Sequence, residues 1–294
     1  MKIARLAVLV CAASACAVAA ADDKSLDTRN ITTHATITSS ITQSAGTGAG
    51  AAGDSKQALE IGGVAASGSA RDVTATANVA ALVTQTSNGR NEQTLAIGGV
   101  DAALSARNVV VNGTALGAIT QSADTRIVQR LGIGAALGSV DARDVIANGT
   151  VTGVVTQTGK GNGLNDQQNI LVGAVKDTSG RNLNLSGNVT GAITQVATSG
   201  ANGANSQDIL VGAIDNSDVR DVTTNATVIG LVTQISGTGL SGTNRQSVNI
   251  GGVRNASIRD ASTFVLVGGG VTQIGPVGGD QNRQKMVLGG VEGR

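Results

Sequence analysis

The chain has 294 residues and a formal net charge of +1, and it contains 42 glycines, one proline, one phenylalanine and neither tryptophan nor tyrosine. A globular core of this size would normally be filled by aromatic side chains, so the composition excludes such a core and indicates a thin interior of small and β-branched residues. The near-zero charge gives no electrostatic basis for binding nucleic acid or an anionic membrane.

The first predicted element is a secretory leader. Lys2 and Arg5 precede an apolar stretch that runs to about Ala21 and ends in small residues compatible with signal-peptidase cleavage. The stretch is short for a stable membrane span. We therefore predict a signal peptide at residues 1–21 and a single repeat domain at residues 22–294. The expected location is extracellular, at the cell surface of a Gram-negative-type bacterium.

Both cysteines, Cys11 and Cys16, lie inside this leader. The mature chain is then expected to have no disulfide, thiol nucleophile or cysteine metal ligand. The segment Ala13-Ser14-Ala15-Cys16 loosely resembles a lipobox, which leaves lipidation of Cys16 open as an alternative.

Seven copies of one pattern follow the leader. Each copy contains Ile or Val followed by Thr-Gln, and an arginine stands fourteen residues before that glutamine every time. The glutamines are Gln43, Gln85, Gln121, Gln157, Gln195, Gln234 and Gln273. The arginines are Arg29, Arg71, Arg107, Arg143, Arg181, Arg220 and Arg259.

A second glutamine begins another regular block in each copy. These glutamines are Gln57, Gln93, Gln129, Gln168, Gln207, Gln246 and Gln284. The linker that separates the two glutamines varies in length and is rich in Gly, Ser, Thr and Asn, which is typical of a surface loop that tolerates insertions. The two blocks of nearly constant length must then be the elements that stack.

The first block alternates with period two, which predicts strands. Counting from Arg71, one face carries Val73, Ala75, Ala77, Val79, Ala81, Val83 and Gln85. A helix would be penalised by this much Gly, Thr and Val. We predict an all-β protein, either a β-solenoid or a stacked β-hairpin rod of seven repeats of 36–42 residues. The pattern leaves open whether a repeat forms one coil or a hairpin.

Stacking of equivalent positions turns each column of the alignment into a ladder of like residues. Val and Ile columns would make a dry core, and small columns would let opposing walls approach closely. A glutamine amide both donates and accepts, so each glutamine column can bond to its own copies above and below. The arginine column is expected at an exposed corner, partly neutralised by the carboxylates that follow it, Asp72, Asp144, Asp221 and Asp260.

The sequence offers little catalytic chemistry. His34 is the only histidine and has no counterpart in the other repeats, so neither a Ser-His-Asp triad nor a zinc site can be assembled. A polysaccharide-cleaving β-helix would need a cleft that breaks the repeat, and none is evident. Gly278-Gly279-Asp280 occurs once and is interpreted as a turn rather than a calcium repeat. We expect neither an enzyme nor a cofactor nor a metal site.

Two other β architectures are weaker alternatives. An ice-binding solenoid needs a regular threonine array, and one complete column exists: Thr42, Thr84, Thr120, Thr156, Thr194, Thr233 and Thr272. The neighbouring outward column does not continue it, because it contains Leu82, Val154 and Leu231. An outer-membrane barrel would carry aromatic girdles, which this composition lacks.

The repeats resemble those of secreted functional-amyloid subunits, the curlins and the pseudomonad fibre proteins. The likeness rests on the paired glutamines, on the glycine-rich linkers, and on the triplets Asn91-Glu92-Gln93, Asn205-Ser206-Gln207, Asn244-Arg245-Gln246 and Asn282-Arg283-Gln284. It implies export across the outer membrane and assembly into cell-surface or biofilm-matrix fibres, with adhesion as the role. The expected partners are further copies of the chain stacked end to end, an outer-membrane secretion pore and extracellular polysaccharide. The alternative function is a monomeric solenoid that binds a surface, ice or polysaccharide.

Overall fold

The computed structural model describes residues 28–45, 54–65, 69–101, 105–137, 140–161, 166–176, 178–199, 204–215, 218–237, 243–275 and 281–293. The predicted leader with its two cysteines and the Gly278–Asp280 turn lie outside these residues. The described part is all-β and contains no helix, so no helix in it is long and apolar enough to cross a membrane.

Each repeat contributes four strand segments in the same order. The arginine strands are Thr28–Ile37, Ser69–Val79, Ser105–Ala115, Val140–Val151, Thr178–Val189, Val219–Val228 and Ile258–Val267. The Thr-Gln strands are Ile41–Ala45, Val154–Gly161, Ala192–Ser199, Leu231–Gly237 and Val271–Ile274. The second-glutamine strands are Asp54–Ile61, Asp166–Val172, Ala204–Val211, Thr243–Ile250 and Gln281–Leu288.

In the second and third repeats the Thr-Gln and second-glutamine segments form one continuous strand, Val83–Ile97 and Ile119–Ile133. A short strand closes every repeat. The short strands are Val64–Ala65, Val100–Asp101, Ala136–Leu137, Val175–Lys176, Ile214–Asp215, Val253–Ala256 and Val291–Gly293.

The repeats stack as the coils of a parallel β-solenoid, which confirms the predicted fold class. The arginine strands pair in chain order in one seven-stranded sheet, and the short strands do so in another. Equivalent positions pair directly, as Arg71 does with Arg107 and Gln93 with Gln129. Every strand pair in the described part is parallel and joins different repeats, whereas a hairpin would pair antiparallel strands within one repeat. One repeat is therefore one coil, numbered 1 to 7 below.

Each coil is flattened into two layers with the apolar core between them. The arginine and Thr-Gln strands form the first layer, and the second-glutamine and short strands form the second. One apolar cluster joins Val79 and Val83 of the first layer to Leu95 and Ile97 of the second. A second apolar cluster packs Val100 of the short strand against the start of the arginine strand. The core is therefore one side chain deep on each side, so β-branched and small residues suffice to fill it.

A left-handed residue follows the arginine in every coil. These residues are Asn30, Asp72, Asn108, Asp144, Asn182, Asp221 and Asp260, with φ between 52° and 57°. Asn and Asp tolerate this conformation better than other residues with a side chain, which explains the Asn/Asp column. This left-handed residue also shifts the alternation of buried and exposed positions along the strand. Ala70 and Val73 are both buried, while Arg71 and Asp72 between them are not.

A second left-handed column is made entirely of glycine, at the bend into the short strand. At Gly134, with φ of 53°, an added Cβ would lie 1.8 Å from the carbonyl oxygen of Asn148 in the first layer. At Gly149, in the predicted small column of the first layer, a Cβ would lie 2.2 Å from the backbone nitrogen of Gly173. The two layers thus approach to backbone contact at this bend in coils 3 to 5, where the column contains Gly113, Gly149 and Gly187, whereas Ala77 and Ala226 occupy it in the coils on either side.

We predict that Gly134→Ala destabilises the protein by about 2–5 kcal/mol, because it combines left-handed strain with overpacking against backbone. Gly268→Ala is the control, since a Cβ there meets nothing within 4 Å, and its effect should stay within about 0.5 kcal/mol. Urea denaturation followed by circular dichroism measures both. Equal stabilities of the two variants would contradict the close approach of the layers.

Candidate functional site

The first glutamine column forms a continuous hydrogen-bonded ladder. The Nε2 of each glutamine donates to the Oε1 of the glutamine one coil earlier, from Gln85 to Gln43 through Gln273 to Gln234, at 2.7–2.9 Å. The second hydrogen of each amide crosses the coil, as when Gln157 donates to the carbonyl oxygen of Asn169 at 3.1 Å. The ladder therefore has a direction, with donors toward the N-terminal end and acceptors toward the C-terminal end.

The second glutamine column forms a parallel ladder in the other layer. Its amides bond in the same direction, from Gln93 to Gln57 through Gln284 to Gln246, at 2.7–3.0 Å. Here the remaining hydrogen reaches the first layer of the following coil, as when Gln57 donates to the carbonyl oxygen of Thr86 at 3.1 Å. The second layer is therefore staggered toward the next coil, and its amides tie successive coils together.

The inner amides lie in the interior of the rod, where an unbonded polar group would cost about 1–3 kcal/mol. From coil 2 to coil 6 the side chains are at most 1% exposed. Each Nε2 has both a ladder partner and a backbone partner along most of the rod. All fourteen glutamines singled out from the sequence thus stand in two aligned columns, seven in each.

The arginine column follows one edge of the first layer. The Asn and Asp residues that come directly after these arginines do not form a row of ion pairs with them. Among the described residues, the one ion pair of an arginine in this column joins Arg143 to Asp141 at 3.9 Å. The left-handed column instead bonds along itself. Asn108 Nδ2 donates to Asp72 Oδ1 at 2.8 Å, and Asn182 donates to Asp144 at 2.7 Å. Backbone conformation and Asn–Asp alternation, rather than neutralisation of arginine, account for these residues.

A buried ionic cluster lies between the second-glutamine strands and the short strands of coils 4 to 6. Arg254 is 0% exposed and donates its Nε to Asp215 Oδ1 at 2.9 Å. Its Nη2 bonds Asp215 Oδ2 and its Nη1 bonds Ser247 Oγ. Asp208 lies 3.8 Å from Arg254 and also binds Lys176 at 2.8 Å. The cluster closes this side of the rod with polar groups.

The electrostatics of Arg254 follow from this packing. Burial by itself lowers its pKa, but the hydrogen bond and charge of Asp215, with the charges of Asp208 and Glu292, outweigh burial and raise the pKa above its ordinary value. Sequence reasoning missed this cluster. Its signal is the alternating charge in the second position of consecutive short strands, Lys176, Asp215, Arg254 and Glu292.

The threonine column lies on the outer face of the first layer and is half-buried from coil 2 to coil 6. On one side it borders exposed apolar side chains: Leu82, Val154 and Leu231 are 46%, 49% and 60% exposed. On that side, therefore, no second column of hydroxyl groups continues the threonine column. The apolar residues form an interrupted stripe along the rod.

Within the described residues, no element covers either end of the rod, and the two ends differ in shape. At the C-terminal end the second layer protrudes, so Met286 and Leu288 are 42% and 47% exposed, whereas Val248 and Ile250 one coil earlier are buried. At the N-terminal end the second layer of coil 1 is covered, and the half-buried residues belong to the first layer: Ile31, Ile37 and Ile41. The second layer is thus covered at the N-terminal end and uncovered at the C-terminal end, whereas the first layer is half-buried at both ends.

His34 is exposed on the outer face of coil 1. In the described ranges no three His, Cys, Asp or Glu side chains are grouped so that they could hold a metal ion. Comparisons of the chain with protein-family models, with curated proteins and with solved structures found no match. The fold defines a repetitive parallel β-solenoid with two internal amide ladders.

We predict that Gln157→Leu lowers the free energy of unfolding by about 2–6 kcal/mol, because it leaves Gln121 Oε1 and one hydrogen on Gln195 Nε2 buried without partners. Gln167→Leu in the same coil is the control, since Gln167 is exposed. Urea titration measures both, and similar losses would show that the ladder adds little.

Asp215→Asn should cost about 3–5 kcal/mol, because it leaves the charge of Arg254 buried with a weakened partner. Glu92→Gln is the matched control, since it removes a carboxylate from ion pairs with Lys56 and Arg130 that are open to solvent, and it should cost less than about 1 kcal/mol. Thermal unfolding of the two variants tests this. An Asp215→Asn variant as stable as the parent would contradict a paired Arg254.

Proposed function

We propose that the protein is a secreted structural subunit that assembles end to end into cell-surface or matrix fibres of the functional-amyloid type, with adhesion as its role. The observation that carries the proposal is the pair of open coil ends. Each presents an unpaired strand edge and half-exposed core residues, and the described part contains no element that caps either end. Natural β proteins generally cover or charge such edges unless the edges are used for pairing.

The ends are complementary to each other rather than to themselves. A second copy placed head to tail would set its first-layer residues Ile37 and Ile41 on the uncovered second-layer residues Met286 and Leu288, and its Ile31 on the exposed Val291 of the last short strand. The same apolar contacts between staggered layers already form the core inside one chain. Two like ends would instead bring together the same layer from both copies, so the stagger favours a polar fibre.

The hydrogen-bond ladders support the same arrangement. Inside the chain, amides of a later coil donate to oxygens of the preceding coil, so coil 1 of an incoming copy would supply donors to coil 7. Gln43 would donate to Gln273 and Gln57 to Gln284, which continues both ladders. Asn30 would stack on Asp260 and repeat the Asn-to-Asp pairing seen from Asn108 to Asp72.

The remaining parts of the proposal rest on sequence. The predicted leader favours secretion, and passage through an outer-membrane pore follows from the resemblance to secreted fibre subunits. A monomeric binding module is the other candidate, and the interrupted apolar stripe beside the threonine column would then be the surface to test.

The decisive experiment blocks each end separately. The parent protein, incubated at rest, should form fibres visible by electron microscopy, with a meridional reflection near ~4.8 Å in fibre diffraction. Ile41→Lys at one end and Met286→Lys at the other should each raise the critical concentration more than about tenfold, because a junction would bury an unpaired ammonium. Thr74→Lys on the exposed outer face is the control and should polymerise normally.

An equimolar mixture of the two blocked variants identifies the polarity. Each variant keeps one open end, and those ends are complementary, so sedimentation should show heterodimers but no longer species. Dimers formed by either variant alone would refute head-to-tail stacking while leaving assembly intact. A parent protein that stays a β-rich monomer at all concentrations would refute the fibre proposal itself.

A further inference from the structure

One outward column of the arginine strands changes its chemistry at the two ends of the rod. Its positions pair directly from coil to coil, and between the ends they carry only hydroxyl and amide side chains. The column consists of His34, Thr76, Asn112, Asn148, Ser186, Asn225 and Phe264. His34 and Phe264 are the only histidine and the only phenylalanine of a chain that has neither tryptophan nor tyrosine. All the aromatic rings of the chain therefore lie in one column, one in coil 1 and one in coil 7.

The coil-7 end of this column is apolar and exposed. Phe264 is 63% exposed, and Leu266, the next outward residue on the same strand, is 51% exposed. In coil 6 the same two positions are Asn225 and Thr227. Neither apolar side chain belongs to the core, because the alternation turns Val265 inward to pack there instead. Apolar side chains grouped on a polar face mark a surface that a partner covers.

We propose that Phe264 of one copy stacks on His34 of the next copy, and that this aromatic pair is how the C-terminal end recognises the N-terminal end of a second chain. The inference rests on the head-to-tail assembly proposed above. In that assembly, coil 1 of the incoming copy occupies the position of an eighth coil. His34 then lies directly opposite Phe264 at the strand spacing of about 4.8 Å, and Thr36 lies opposite Leu266.

Side chains of this column reach their counterparts one coil away. Inside the chain, Asn148 Nδ2 donates to Asn112 Oδ1 at 2.8 Å. Two rings on neighbouring coils can stack in parallel with an offset, which is a preferred arrangement of aromatic pairs. The pair is favourable in both protonation states of the imidazole, because a neutral ring stacks on the phenyl ring and a cationic ring is attracted to its face.

The aromatic pair adds a selectivity that the rest of the junction lacks. The glutamine ladders and the apolar contacts repeat in every coil, so they do not distinguish one coil edge from another. The pair forms only where coil 7 meets coil 1. Two N-terminal ends provide no phenylalanine and two C-terminal ends provide no histidine, so neither contact between like ends can form it. The chemistry of the column therefore favours a second copy of this chain, added head to tail, as the occupant of the exposed apolar surface.

Cysteine cross-linking of assembled fibres tests the register of the pair. In the full chain with Cys11→Ser and Cys16→Ser, the double variant His34→Cys/Phe264→Cys should give disulfide-linked oligomers on non-reducing gels after mild oxidation, since Cα atoms about 4.8 Å apart are within disulfide range. His34→Cys/Leu266→Cys is the matched control. It separates the two Cα atoms by about 8 Å, which is beyond that range, and should run as a monomer.

Critical concentrations measure the strength of the pair. Phe264→Ala and His34→Ala should each raise the critical concentration about two- to tenfold, and the double variant should raise it no further than Phe264→Ala alone, because either single substitution already removes the pair. Thr76→Ala is the control, since it changes the same column inside the chain, and its critical concentration should stay within about twofold of the parent's.

The outcomes separate this proposal from the fibre proposal on which it rests. Cross-links in the shifted control but not in the matched pair would overturn the register, while leaving fibre formation intact. Multiplicative effects of His34→Ala and Phe264→Ala would overturn the contact between the two rings, and a Phe264→Ala variant that polymerises like the parent would overturn the role of the phenyl ring. A parent chain that forms no fibres would instead refute the assembly itself.

Discussion

In-register parallel stacking is the constraint on which this molecule depends. Because every strand pairs with the equivalent strand of the next repeat, each side chain meets its own counterpart about 4.8 Å away. Residue types that are favourable beside themselves are therefore retained in columns, as the buried valines and the amides of Gln121 and Gln157 show. Types that are unfavourable beside themselves, such as arginine, are placed at the exposed edge.

The same constraint explains why a core without aromatic residues is sufficient. Two layers meet at backbone distance where Gly134 lies under Asn148, so the interior has no room for large rings. The buried amides link the layers: the first ladder crosses within a coil, and the second crosses to the next coil. Stability is therefore distributed along the rod, and each coil is held by its neighbours more than by itself.

Stacking also links the fold to the proposed functions. A stack that satisfies every inner coil necessarily leaves its two end coils incomplete, and the stagger between layers makes the ends unlike each other. This pair of unlike ends is what the proposed head-to-tail assembly would use.

The sequence by itself determined the seven repeats, the strand alternation and the two glutamine columns, because these depend on local periodicity that survives in one dimension. Only the tertiary structure decided that a repeat is one coil, since a hairpin would present the same alternation. It also decided the left-handed conformation at Asp72, a position where the sequence alone predicts a carboxylate that neutralises arginine, and the partnership of Arg254 with Asp215. Those features depend on backbone angles and on how residues from separate coils meet. Neither of these can be predicted from the spacing of side chains along the chain.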